Sequence, residues 1–136
     1  MKILRIMFAF LISVCILAGC SGRKKDAIPL PSADEISKVT IINGDTAAIS
    51  ENGDYISKLL NKMKTAEDTD KKSVRDKPVG DTATRIDLQH NEGGTTTIYM
   101  YFNGGKLFLE KPHQGIYSIE KSLCDIIDEL DYEAIS

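Results

Sequence analysis

ATRIDLQHNEGGTTTIYMYFNGGKLFLEKP, residues 83–112, decides the fold. In its first segment, residues 83–90, Ile86 and Leu88 alternate with Arg85, Asp87 and Gln89. That period of two is the mark of a strand with one face buried and one in water. Asn91-Glu92-Gly93-Gly94 supplies turn chemistry, and TTTIYMYF (95–102) alternates again. Asn103-Gly104-Gly105 then reverses the chain into KLFLEK (106–111). Pro112 cannot donate to a ladder and ends that strand, after which GIYSI (115–119) reads as one more short strand.

Working outward, VTIIN (39–43), Gly44-Asp45 and TAAIS (46–50) spell a hairpin. Ile56, Leu59, Leu60 and Met63 follow at i, i+3, i+4 and i+7, so a helix with one apolar face is expected to start near Glu51 to Asp54. Leu123, Ile126, Ile127 and Leu130 repeat the spacing and predict a second helix, capped by Ser118 with Glu120 in its first turn. EDTDKKSVRDKPVGD (67–81) reads as a mixed-charge loop. Each element has one apolar side and must cover another. The expected fold is therefore α+β: an antiparallel sheet of about five or six strands, hairpin plus meander, with two amphipathic helices packed on one face. Ile86, Leu88, Ile98, Met100, Phe102, Leu107 and Leu109 are the expected inner face.

The other end of the chain is MKILRIMFAFLISVCILAGC. Lys2 and Arg5 precede a run from Ile6 to Ala18 that is apolar except for Ser13. A run of about a dozen residues is too short to span a bilayer but suits the apolar region of an export signal. Leu17-Ala18-Gly19-Cys20 resembles the lipobox of bacterial lipoproteins. The resemblance implies that residues 1–19 are cleaved as a signal peptide and that Cys20 becomes a diacylglyceryl-modified N-terminus. Two acyl chains anchor a protein stably where one does not. Taken alone, the same residues also fit an ordinary signal peptide or an uncleaved anchor.

Residues 20–37 are then the lipidated cysteine and a flexible tether, and residues 38–136 form a single small domain. Arg23-Lys24-Lys25 fits both attraction to anionic headgroups and a merely solvated linker. With Cys15 removed and Cys20 lipidated, Cys124 has no internal partner for a disulfide and reads as a buried, inert thiol.

The whole chain has 17 basic and 20 acidic residues; losing Lys2 and Arg5 with the signal leaves a net charge of −5. Such a balance argues against nucleic acid as a partner. No nucleophile elbow, phosphate-cradling loop or Cys-x-x-Cys occurs, and neither a catalytic residue nor a cofactor is assigned. His90 with Glu92, even with His113 added, makes a poor metal set, and Asp68-Thr69-Asp70 lacks the glycine and distal glutamate of a calcium loop. The outward positions of the meander carry more. Tyr99 and Tyr101 point away from the inner face, Phe108 joins them, and Arg85, Asp87, Gln89 and Lys106 rim the patch. Aromatics among polar groups compose recognition surfaces as well as stabilising cross-strand pairs. Tyr99, Tyr101, Phe108 and Arg85 are the candidate binding face.

KLFLEKPHQGIYSIEKSLCDII, residues 106–127, resembles a group of small uncharacterised lipoproteins of Gram-positive bacteria. These show a strand, a Lys/Gln-Pro-aromatic-x-Gly-Ile-Tyr turn and a terminal helix, with His113 here in the aromatic's place. The likeness runs over most of residues 38–132 and implies a domain of unknown function at the cell surface. The expected function is a membrane-anchored, extracytoplasmic and non-catalytic module that binds a protein or an envelope ligand. The alternatives are a regulatory lipoprotein acting on a neighbouring membrane sensor and a small envelope hydrolase.

Overall fold

The computed structural model describes residues 26–78 and 82–135. In chain order these form β1 (Ile36–Asn43), β2 (Thr46–Ser50), α1 (Gly53–Met63), β3 (Glu67–Asp68), β4 (Thr84–His90), β5 (Thr95–Asn103), β6 (Lys106–Lys111), β7 (Gly115–Ile119), α2 (Ser122–Ile127) and β8 (Glu133–Ala134). The eight strands make one sheet in the order β3-β7-β6-β5-β4-β1-β2-β8, and each neighbouring pair is antiparallel. With two helices added, the fold is α+β.

The meander pairs as its turns dictate. Gly104 and Gly105 between β5 and β6 have φ of +60° and +77°, the two left-handed positions that a tight hairpin with native twist requires. The β1–β2 hairpin docks on β4, so that Val39 faces Leu88, Ile41 faces Ile86 and Ile86 faces Ile98. All five are fully buried. They join Leu107, Leu109 and Tyr117 of the later strands in one apolar cluster, together with Ile56, Leu59, Leu60 and Met63 of α1 and Leu123 and Ile127 of α2. At about 1.5–3 kcal/mol for each large apolar side chain removed from water, this cluster dominates the stability.

Both helices are closed by named polar contacts. The Asn52 side chain accepts from the Asp54 and Tyr55 amides at 2.9 and 3.1 Å, capping two donors that α1 leaves unpaired. The Tyr55 hydroxyl donates to the Ile126 carbonyl (3.0 Å) and the Tyr132 hydroxyl to the Ile127 carbonyl (3.1 Å). Two carbonyls at the end of α2 are thereby satisfied. Burial, with Asp128 nearby, pushes the Tyr132 phenol up to about 12. Burial is also the main cause that raises Tyr55.

Four expectations need correction. The strand count is eight because β3 and β8 have two residues each, too few to show any alternation. The second helix starts at Ser122 behind Lys121 without a side-chain cap, because Ser118 stays in β7 opposite Phe108 and Glu67. Phe102, expected inside, is 56% exposed at the end of its hairpin. The flexible tether expected through Ser37 ends sooner: Ile28 is 4% exposed within the core cluster, and the Lys111 ammonium donates to the Pro29 carbonyl at 2.6 Å. Ile28 lies outside any regular apolar spacing, so its burial left no periodic signal. Cys20 and the signal segment 1–19 lie outside the described residues. Among the described residues no helix is long and apolar enough to cross a membrane.

Candidate functional site

Alternation along β4 to β7 puts a second row of side chains on the face opposite the core. Register places Arg85 beside Tyr99, Tyr99 beside Glu110 and Glu110 beside Ile116. One step along, Tyr101 lies beside Phe108 and Phe108 beside Ser118. The expected residues therefore do share one face. Tyr99, Tyr101 and Phe108 are half-buried, and the rings of Tyr101 and Phe108 stack with centroids 6.0 Å apart and planes 30° from parallel. Such offset pairs add about 0.5–1.5 kcal/mol beyond their buried area.

Arg85 is already engaged. Its Nε donates to Asp87 Oδ1 at 2.9 Å, and Thr97 Oγ1 donates to the same oxygen at 2.7 Å. Its hydrogen bond to the Asp87 carboxylate raises the guanidinium further above its ordinary range. Lys106 stands apart from the aromatic rows. It is exposed at the end of the β5–β6 hairpin and lines a separate groove of about 460 Å³ with Lys62, Ser118 and Glu120.

The segment read as a loop turns out to be a strap over this face. From Thr69 to Pro78 it runs along β7 and across β6. The Thr69 amide and hydroxyl both donate to the Ile116 carbonyl, at 3.1 and 2.7 Å, and the Ile116 amide donates to the Lys71 carbonyl at 3.0 Å. Beyond Lys71, Ser73 Oγ donates to Glu110 Oε1 at 2.7 Å. The Tyr101 hydroxyl donates to Glu110 Oε2 at 3.0 Å. Burial first, and this bond second, push the Tyr101 phenol up to about 12. Between strap and sheet lies a cavity of about 350 Å³, lined by residues that include Lys72, Arg75, Tyr101, Asn103, Glu110 and Ile116.

Glu110 and Ser73 were missed by sequence reasoning. Glu110 has the same outward parity as Phe108, a signal that was present and not used. Ser73 sits in a run with no period, where only the fold reveals its partner.

The two histidines have separate partners. His90 Nε2 is 2.7 Å from Thr96 Oγ1, and His113 Nε2 is 2.6 Å from Asp76 Oδ1. Among the described residues no group of three or more metal-ligating side chains comes together. Cys124 is half-buried on α2; burial first, then Asp128 and Asp125, push its thiol up and away from the reactive thiolate.

A solved structure with the same fold exists. The NMR structure of a protein from Ruminococcus gnavus is 30% identical, superposes with a TM-score of 0.66, and covers 74% of this chain and 99% of its own. No curated protein matches the chain. Residues 24–118, which hold β1 to β7 apart from the final residue of β7, match the family DUF5301, described as a domain of unknown function (DUF5300). The chain belongs to that family.

Proposed function

We propose that this protein is a lipid-anchored extracytoplasmic module that binds, without catalysis, a protein or envelope ligand through the face carrying Tyr99, Tyr101, Phe108 and Arg85. The observation that carries this reading is the half-exposed aromatic stack beside the strap cavity. Aromatic groups beside an open, polar-lined cavity suit recognition. Both helices belong, on this reading, to the opposite face; their buried residues join the cluster of the inward strand positions.

Anchoring through Cys20 is supported by the lipobox residues Leu17-Ala18-Gly19-Cys20 after a basic start and an apolar run. The burial of Ile28 leaves only residues 21–27 as linker, a reach of at most about 25–30 Å. So short a tether favours a partner in or at the membrane, which keeps regulation of a neighbouring membrane protein as a second reading.

Two measurements test the proposal. Cys20→Ala is expected to leave the precursor uncleaved and to move the protein out of the membrane fraction; an unchanged fraction refutes anchoring. Cross-linking in intact cells is compared between wild type and a Tyr99→Ala, Phe108→Ala chain. If the variant stays folded and keeps every partner, the face is wrongly assigned.

A further inference from the structure

Glu110 is a buried carboxylate with no counter-ion among the described residues. It is 6% exposed on an interior strand. Its two partners, Ser73 and Tyr101, are both neutral hydroxyls. Among the described residues the ion pairs are Lys58–Glu129, Lys62–Glu120, Arg85–Asp87 and His113–Asp76, and none includes Glu110. Each oxygen has one donor, but a carboxylate accepts at about four lone-pair positions, so acceptor positions remain that a cation would fill best. Glu110 lines the 350 Å³ cavity, a volume within the range of small-ligand sites. Beside it stands the Tyr101–Phe108 stack, and ring faces attract ammonium and guanidinium groups.

The cover over this cavity is held unevenly. Up to Lys71 the strap is fastened by main-chain bonds to β7. From Lys72 to Pro78 its hydrogen bonds to the rest of the fold, among the described residues, are two side-chain contacts, Ser73 to Glu110 and Asp76 to His113. Lys72 and Arg75 line the cavity from this same stretch and oppose an entering cation only while it is down. Lifting it removes both opposing charges and the Ser73 hydroxyl together. The chain's net charge of −3 also draws a cationic partner rather than an anionic one.

We propose that Glu110 is the anchor for an alkylammonium or guanidinium group, which replaces Ser73 as its partner when residues 72–78 lift from the face. The group is that of a lysine or arginine side chain on a partner, or of a free amine. The assignment rests on the reading of this face as a binding surface and names what that surface takes.

The test is an NMR titration of the full chain in neutral detergent with n-butylammonium, methylguanidinium and a short peptide containing lysine and arginine, read at the Ser73, Tyr101 and Ile116 amides. Saturable shifts are expected, with affinity lowered about tenfold or more by Glu110→Gln. Ser73→Ala removes the competing donor and is expected to tighten binding. A small amine that binds as well as the peptide identifies a free amine as the ligand; a tighter peptide identifies a partner's side chain. Absence of saturation with every cation, or saturation by a glutamate-rich peptide instead, overturns the assignment. If Glu110→Gln does not fold, Ser73→Ala decides alone, and unchanged or weaker binding is the overturning result. A Glu110→Gln chain that keeps a partner lost by the Tyr99→Ala, Phe108→Ala chain sinks the cation assignment and leaves the face standing. Cation binding in a protein whose face variant keeps every partner sinks the broader reading.

Discussion

The two faces of the sheet are built by different means. The inward face is a continuous apolar surface, with Val39, Ile41, Ile86, Leu88, Ile98 and Leu109 all fully buried. The outward face carries hydroxyls, carboxylates and aromatic rings held by specific bonds: Thr97 and Arg85 on Asp87, Ser73 and Tyr101 on Glu110. Non-directional burial stabilises the first, so its cost of damage scales with volume removed. The second depends on geometry, and its cost of damage depends on which donor or acceptor is stranded. A face of the second kind can exchange partners without unfolding the domain, because the core supplies the stability.

The largest effects should therefore come from the inward face. Leu59→Ala or Leu88→Ala is expected to cost about 2–5 kcal/mol in thermal or denaturant unfolding, since neither site has solvent access to relax into. On the outward face, Glu110→Ala leaves the Ser73 and Tyr101 hydroxyls without their acceptor, at about 1–3 kcal/mol. Should Glu110→Ala cost more than Leu88→Ala, the division between the faces is wrong.

That division also explains what could be read in advance. Ile86, Leu88, Ile98, Leu107 and Leu109 announce themselves by alternation, and Ile56, Leu59, Leu60 and Met63 by helical spacing, because burial of a regular element imposes its period on the chain. Tyr99, Tyr101, Phe108 and Arg85 follow as the complementary parity. The strap does not follow, since Ser73 and Glu110 are 37 residues apart and linked by one hydrogen bond with no periodic trace. Ile28 is a similar case: it follows Ala27 between Asp26 and Pro29 with no periodic pattern, and is recruited by a core that lies far along the sequence.

Alkaline pH separates the faces by a smaller amount. Tyr101 outward and Tyr132 beside α2 each have a phenol pushed up to about 12, chiefly by burial. A group raised in the folded state contributes its full stability below its unfolded pKa, near 10, and loses it as pH climbs through the folded value. The part of the stability that these two phenols supply should thus be flat to about pH 10 and decline from there to about 12. Tyr101→Phe and Tyr132→Phe should each flatten part of that decline in a melting series. An unchanged slope in both variants would contradict the burial of these hydroxyls. Asn52→Ala, which uncaps α1, is expected to cost about 1 kcal/mol at any pH in this window, as its amide does not titrate.

The smallest effect belongs to His113, where strap and turn meet. Its contact with Asp76 is largely in solvent, with side chains 62% and 96% exposed, and such pairs contribute about 0–1 kcal/mol. Its backbone has φ of +62°, a conformation that costs a residue with a Cβ about 1–2 kcal/mol relative to glycine. His113→Ala loses the contact and keeps the strained backbone. His113→Gly loses the contact and relieves it, so it should unfold at higher denaturant than the alanine variant. In both, amide exchange should quicken at Arg75 and Asp76 while Leu88 and Ile98 keep their protection. Faster exchange in the core strands would tie the strap to the inward face and erase the distinction between the two.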